Sequence, residues 1–305
     1  MQKILAVPST HTAEVGGKDT MYKNIVVGYD GSDYSKAALM EASKRVKKNG
    51  GKVTLVHAVY FDEEEFGIAP LQLDKRIEFG RNICMQAKEK HLSEFGVDVE
   101  SLVCEGEPPD ILTQVALGKE ADLIALGTHG RKGLKRLLLG SVTSGVIAKA
   151  HCDVLVVKKP CSKCTGDFKS IIVAYDGSEQ SRKALARAGR LNGSDGAAVT
   201  VLYVIPRYEE MVEFFKTDAI KNSLYAQAEK LLDTARAVAA EGGFAIAAIV
   251  QEGPSADRIL DIAKRSESDL IVMGSHGWTG VNKAIMGSTT ERVIMDAPCP
   301  VLIAR

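Results

Sequence analysis

The sequence predicts an α/β fold laid down twice in one chain, each copy a mostly parallel sheet with helices on both faces. Three observations carry that prediction. Short apolar runs alternate with amphipathic stretches along all 305 residues, the signature of strand–helix–strand units. The runs lack the polar alternation of half-exposed strands, as in Ile25-Val-Val27 and Leu270-Ile-Val-Met273, so both of their faces are buried. Finally, the second half repeats the first: Asp30-Gly-Ser recurs at Asp176, an offset of 146, and Gly106 and Gly127 recur at Gly253 and Gly274, an offset of 147. The unit is far longer than the roughly 20 to 50 residues of a solenoid repeat, so it is a duplicated domain.

In copy one, Asn24 to Tyr29 reads as the first strand, and Ser32 caps a helix carrying Ala38, Leu39, Ala42 and Val46 on one side. Val53 to Val59 is the second strand, and a long amphipathic stretch follows over 74–95. Val97 to Cys104 is the third strand, with a helix starting near Pro109. Leu123 to Leu126 is the fourth strand, and a helix over 141–150 precedes the last, Val154 to Lys158. Copy two follows with strands at Ser170 to Tyr175, Val199 to Val204, Phe244 to Val250, Leu270 to Met273 and Val301 to Ala304. The polar stretch between the copies contains Pro160 and Gly166 and has no periodicity, which marks a linker. The expected organisation is an extension over 1–20, a first domain over 21–158, a linker over 159–168 and a second domain over 169–305.

Right-handed crossovers place every strand-to-helix loop at one edge of such a sheet, the edge where ligands bind. Asp30, Gly106 and Gly127, with Asp176, Gly253 and Gly274, each follow a strand and so converge there. Asp122 and Asp269 precede strands, which assigns them to the opposite edge and to a structural or solvent role.

Composition bounds the function. Lys plus Arg (39) equals Asp plus Glu (39), whereas nucleic acid or an anionic membrane as main partner demands a basic excess. No apolar stretch reaches the roughly 20 residues of a membrane span. The opening Met1-Gln-Lys-Ile-Leu-Ala-Val-Pro8 has too short an apolar core for a signal peptide, so a cytoplasmic location is expected. The six cysteines form no disulfide framework. Cys84, Cys104, Cys152 and Cys299 read as small packing residues. Cys161-Ser-Lys-Cys164 lies in a linker leading into a strand, unlike a redox pair between strand and helix, and reads as two free thiols.

The chemistry concentrates in one pattern that occurs twice. Copy one reads Gly127-Thr-His-Gly130, nine residues, Gly140-Ser141; copy two reads Gly274-Ser-His-Gly277, nine residues, Gly287-Ser288. A glycine loop leaving a buried strand and ending at a helix start presents free backbone amides and a helix dipole, both of which favour an anion such as phosphate. Ser141 and Thr143, with Ser288, Thr289 and Thr290, are expected to offer hydroxyls beside those amides. Asp30 and Asp176 would repel phosphate directly; they suit ribose hydroxyls or a metal ion bridging to phosphates, while Ser32 and Ser178 are free to cap the helices. Between its glycines copy one carries Arg131, Lys132, Lys135 and Arg136, whereas copy two carries Trp278, Thr279 and Lys283, so the two sites are expected to differ in affinity. His129 and His276 lack a nucleophile at catalytic spacing and are assigned to loop structure; His57 is assigned to the core.

Together these residues resemble the universal stress protein family in its tandem, ATP-binding form. The glycine pattern, the strand-one Asp30 and Asp176, the Gly106-Glu-Pro and Gly253-Pro-Ser loops and the closing Cys-x-Val-Leu strands all match, over about 22–158 and 169–305. The resemblance implies two Rossmann-like (adenine nucleotide alpha-hydrolase-like) domains, each with a five-stranded sheet. It implies ATP, with Mg, at the carboxyl edge: adenine on backbone groups at Ala58 and Val204, ribose near Asp30 and Asp176. Phosphates would lie near Gly127, Gly130, Gly140, Ser141 and Thr143, and near Gly274, Gly277, Gly287, Ser288 and Thr290. It implies no catalytic residue and no metal site made by protein alone. It further implies an intramolecular pseudo-dimer through the last strands of the two domains, and leaves room for a homodimer of whole chains. The function it implies is a stress-response regulator or scaffold; the alternative is a slow ATPase or adenylating enzyme, to which Asp30-Gly-Ser-Asp-Tyr-Ser35 bears a faint likeness.

Overall fold

Parallel strands need long crossovers, and each copy supplies them. The structure, a computed structural model, describes residues 21–60, 70–130, 139–160, 165–205, 218–277 and 286–305. Copy one contains β1 (Asn24–Gly28), α1 (Asp33–Asn49), β2 (Lys52–Val59), α2 (Pro70–Phe95), β3 (Val99–Glu105), α3 (Pro108–Gly118), β4 (Leu123–Gly127), α4 (Ser141–Lys149) and β5 (Asp153–Val157). Copy two contains β6 (Ser170–Ala174), α5 (Glu179–Asp195), β7 (Ala198–Ile205), α6 (Asp218–Glu241), β8 (Ile246–Glu252), α7 (Ser255–Arg265), β9 (Leu270–Gly274), α8 (Ser288–Asp296) and β10 (Val301–Ala304). The expected extension over 1–20, the loop cations Arg131, Lys132, Lys135, Arg136 and Lys283, the loop residues Trp278 and Thr279, and the thiols Cys161 and Cys164 lie outside the described residues.

The strands form one sheet in the order β3-β2-β1-β4-β5-β10-β9-β6-β7-β8. Every neighbouring pair is parallel except β5 and β10, which run antiparallel with Leu302 opposite Leu155. Successive strand residues point to opposite faces, so Ile25 and Val27 join one apolar layer while Val26 joins the other. The first layer packs Leu39 of α1, Cys84 of α2, Leu185 of α5 and Leu232 of α6. The second packs Leu112 of α3, Val146 of α4, Ile259 of α7 and Val293 of α8. Both layers cross the β5–β10 junction without interruption.

The predicted strands recur with small shifts. β3 starts at Val99 rather than Val97, because Gly96 leaves α2 at φ +66° and turns Val97 into the core first. β8 starts at Ile246 rather than Phe244, whose ring turns back onto Gly189 and Gly242. Asp122 and Asp269 each fall at the amino ends of their own copy's strands, as predicted, and their role is specific. Asp122 accepts N–H bonds from Lys23 (2.7 Å) and Asn24 (3.2 Å); Asp269 accepts from Lys169 (2.8 Å) and Ser170 (3.1 Å). Each carboxylate thus pins the start of the first strand of its copy. Burial pushes both carboxyls above their usual range, and these N–H donors pull partly against it.

Charged groups also join the copies. Arg45 of α1 is buried and forms an ion pair with Asp195 at the end of α5. It also donates to the carbonyls of Met21 (3.2 Å) and Gly166 (2.9 Å) and lies between the rings of Tyr22 and Phe168. Asp153 at the start of β5 accepts from Tyr22 Oη (2.8 Å) and contacts Arg187 Nε of α5 at 2.6 Å.

Candidate functional site

The first turn after β1 is built by Asp30-Gly-Ser. Gly31 adopts φ +81°, a left-handed conformation that glycine alone takes without cost. Asp30 Oδ1 accepts from Ser32 N–H at 3.0 Å, and Ser32 Oγ accepts from Ser35 N–H at 3.2 Å. Serine therefore caps the helix while aspartate orders the turn. Copy two repeats the arrangement: Asp176 Oδ1 accepts from Ser178 N–H at 2.9 Å, Ser178 Oγ from Ser181 N–H at 3.2 Å, and Gly177 sits at φ +80°.

The glycine loops then close on these turns. A Cβ added at Gly130 would lie 2.9 Å from Asp30 Oδ2, and one at Gly277 would collide with Asp176 Oδ2. The structure thus brings each strand-one carboxylate against the second glycine of its loop. At the far end of the loop, Gly140 N–H donates to Thr128 O (3.0 Å) and Gly287 N–H to Ser275 O (2.9 Å). Both glycines are the N-caps of α4 and α8, and neither helix start receives a side-chain cap. The first free amides of α4 are therefore those of Ser141, Val142 and Thr143, since Ser144 N–H already reaches Gly140 O at 3.0 Å. In α8 they are those of Ser288, Thr289 and Thr290, with Glu291 N–H on Gly287 O at 3.0 Å. Ser141 and Ser288 are exposed at these ends.

Two sequence expectations change in detail. At Gly127 and Gly274 a helix packs where a side chain would stand, a demand for glycine beyond the close ligand approach expected from the sequence. A Cβ at Gly127 would lie 2.5 Å from Tyr34 Cβ and 2.7 Å from its backbone carbon, and one at Gly274 would lie 2.5 Å from Gln180 Cβ. Thr143 and Thr290 do not present their hydroxyls to the loop. Each is 3% exposed and donates to the carbonyl of the first glycine, Thr143 Oγ1 to Gly127 O (2.7 Å) and Thr290 Oγ1 to Gly274 O (3.0 Å). They brace the helix to the strand end and leave the backbone amides to meet an anion.

Ala58 and Val204 lie near the ends of β2 and β7. Val56 O accepts from Tyr29 N–H (2.9 Å), and Leu202 O from Tyr175 N–H (3.0 Å). Backbone groups two residues on point the same way, so those of Ala58 and Val204 face the side where β1 and β6 have already left the sheet. His57 is core, as expected: it is 7% exposed and its Nδ1 lies 2.7 Å from Tyr29 O. His129 and His276 hold their own loops, through Thr128 Oγ1 (3.1 Å) and Ser275 Oγ (3.0 Å).

Sequence reasoning missed Tyr34, which seats the first glycine of its loop and lies 5.4 Å from the His129 ring, centroid to centroid. Comparing the repeats gave no signal, because copy two has Gln180 at that position.

Three of the thiols, Cys84, Cys152 and Cys299, are buried. Burial raises Cys84 to about 11 and Cys152 and Cys299 to about 12. Since only the thiolate reacts, all three should stay unmodified by iodoacetamide at pH 8 in native protein. Peptide mass spectrometry should find them alkylated only after denaturation.

The fold and these loops define a duplicated parallel α/β protein with one anion-type loop at the carboxyl ends of each copy's strands. Because β5 and β10 run antiparallel, Asp30, Gly106 and Gly127 meet at one edge of the joint sheet and Asp176, Gly253 and Gly274 at the opposite edge, not at the single edge that the sequence suggests. The chain belongs to the Universal stress protein family, whose sequence pattern matches residues 21–158 and again 167–305. A universal stress protein of Mycobacterium tuberculosis is 26% identical over 292 residues, covering 92% of this chain and 96% of that relative. One from Methanocaldococcus jannaschii is 36% identical over 147 residues, covering 47% of this chain and 85% of the relative. The crystal structure of a universal stress protein from Archaeoglobus fulgidus superimposes with a TM-score of 0.71 at 20% identity, covering 95% of this chain and 98% of that one. Among the described residues no helix is long and apolar enough to cross a membrane.

Proposed function

We propose that this chain binds ATP at the carboxyl ends of each copy's strands, one molecule per copy at opposite edges of the sheet, and acts as a nucleotide-responsive regulator or scaffold in stress responses. The observation that carries the proposal is the recurrence of one geometry. In both copies an uncapped helix start, an inward-facing glycine pair and a strand-one carboxylate meet at one place. The residues fit an adenine nucleotide. Amides of 141–143 and 288–290 would hold phosphate oxygens, and Gly130 and Gly277 keep the space beside Asp30 and Asp176 clear. Those carboxylates would take ribose hydroxyls, or a Mg ion carried in with the phosphates, which would screen phosphate charge. Backbone groups of Ala58 and Val204 would take the adenine edge. The two copies act as an internal pair, in the cytoplasm.

Calorimetry with MgATP on the full chain tests the proposal, together with mass spectrometry of any small molecule that copurifies. The expected result is saturable binding with slow or no phosphate and pyrophosphate release. Correctly folded protein that binds no ATP would rule the proposal out.

A further inference from the structure

We infer that Arg305 and Lys158 are reciprocal positioning residues, each clamping the C-terminal end of the helix whose N-terminus forms the other copy's candidate phosphate site. The inference rests on the nucleotide reading above. Arg305 follows β10, yet its guanidinium serves copy one: Nε donates to Ala150 O and Nη2 to Ala148 O, both at 2.9 Å, at the end of α4. Lys158 follows β5 and serves copy two, its Nζ donating to Met295 O of α8 at 2.6 Å. The two residues are equivalent, offset by the same 147 that relates Gly127 to Gly274.

Topology dictates the crossing. α4 feeds into the start of β5 and α8 into the start of β10. Because β5 and β10 run antiparallel, the end of each strand lies beside the start of the other. A cation placed just after one strand therefore meets the last carbonyls of the helix that precedes its neighbour. These carbonyls lack partners within their helix and carry the negative end of its dipole, so a cation there stabilises the helix. Each helix has only nine residues, about 13 Å of length. Holding one end therefore fixes where the amides at the other end point. The clamp on α4 is the firmer of the two. Arg305 N–H donates to Asp153 Oδ1 (3.0 Å), and Asp153 is itself 2% exposed and held by Tyr22 and Arg187.

The test is a titration of the full chain with MgATP. Hydrogen exchange of peptides spanning 141–148 and 288–295 reports each site separately. Wild type should gain protection in both peptides. Arg305→Ala should raise the ATP midpoint of the 141–148 peptide about five-fold, the order of a charge effect at a helix end, and leave 288–295 unchanged. Arg305→Lys should recover to within about two-fold of wild type, because the cation is kept. Lys158→Ala should give the mirror image with a smaller shift. A shift in the variant's own copy, an equal shift in both peptides, or no shift would overturn the inference while the nucleotide reading stands. Wild type showing no protection in either peptide would overturn both.

Discussion

Replacing Asp195 with alanine will destabilise the chain by about 3–5 kcal/mol, the typical cost of stripping a buried ion pair of one partner. The Asp195 side chain is fully buried and takes more than the Arg45 guanidinium. Its Oδ2 also accepts from Phe168 N–H (3.0 Å), and its Oδ1 from Ser194 Oγ (2.9 Å). Removal leaves the Arg45 cation in the core of the junction, with carbonyls and two aromatic rings as its remaining company. Lys48, 3.5 Å from Asp195 Oδ1, would lose a partner as well. Urea unfolding monitored by circular dichroism gives the number. The companion variant Arg45→Met with Asp195→Leu should recover part of the loss, because no buried charge remains while the Phe168 N–H and the Gly166 carbonyl lose their partners. A single Asp195→Ala change costing less than about 1 kcal/mol would show the pair to be solvated and the argument wrong.

Gly140→Val combined with Gly287→Val will abolish ATP binding while leaving the fold intact, lowering affinity by more than about 100-fold through lost charge-assisted amide bonds and steric blockage. An added Cβ at Gly140 meets Thr128 O at 3.1 Å, and at Gly287 the nearest atom is 3.4 Å away. Those contacts are tight to ordinary, so a shift of a few tenths of an ångström accommodates them. The isopropyl group, however, stands where the loop meets the uncapped helix start and covers the amides that would hold phosphate. Val is also the N-cap least able to replace those amides with an acceptor of its own. Calorimetry against MgATP and a thermal melt on the same sample separate the two effects. Retained binding at wild-type strength would show the site to be elsewhere.

Much of the fold was legible from the sequence because its strands are buried on both faces and its turns are built by Asp-Gly-Ser and glycine punctuation. The shifted starts of β3 and β8 were not, since Gly96 and Gly243 delay strand entry through backbone conformation that composition does not encode. At the candidate site, the pattern located the loops but not the reason for each residue. Thr143 resembles a ligand hydroxyl in sequence and becomes a brace only once the Gly127 carbonyl lies 2.7 Å away. Gly127 reads as a ligand glycine, and its packing demand appears only once Tyr34 is seen against it. Arg45, Asp195, Lys158 and Arg305 carried no local motif. Their roles arise only where helices far apart in sequence meet across the β5–β10 junction.

That junction joins partners on one polypeptide, so the pair cannot come apart on dilution and its two loops stay in a fixed one-to-one ratio at any cellular concentration. It also frees the halves from self-complementarity. A symmetric assembly of copy one would set Arg45 against Asn49, whereas Asp195 stands at that position in the second half. Each half can therefore diverge in sequence without the mismatch that identical subunits would impose on each other.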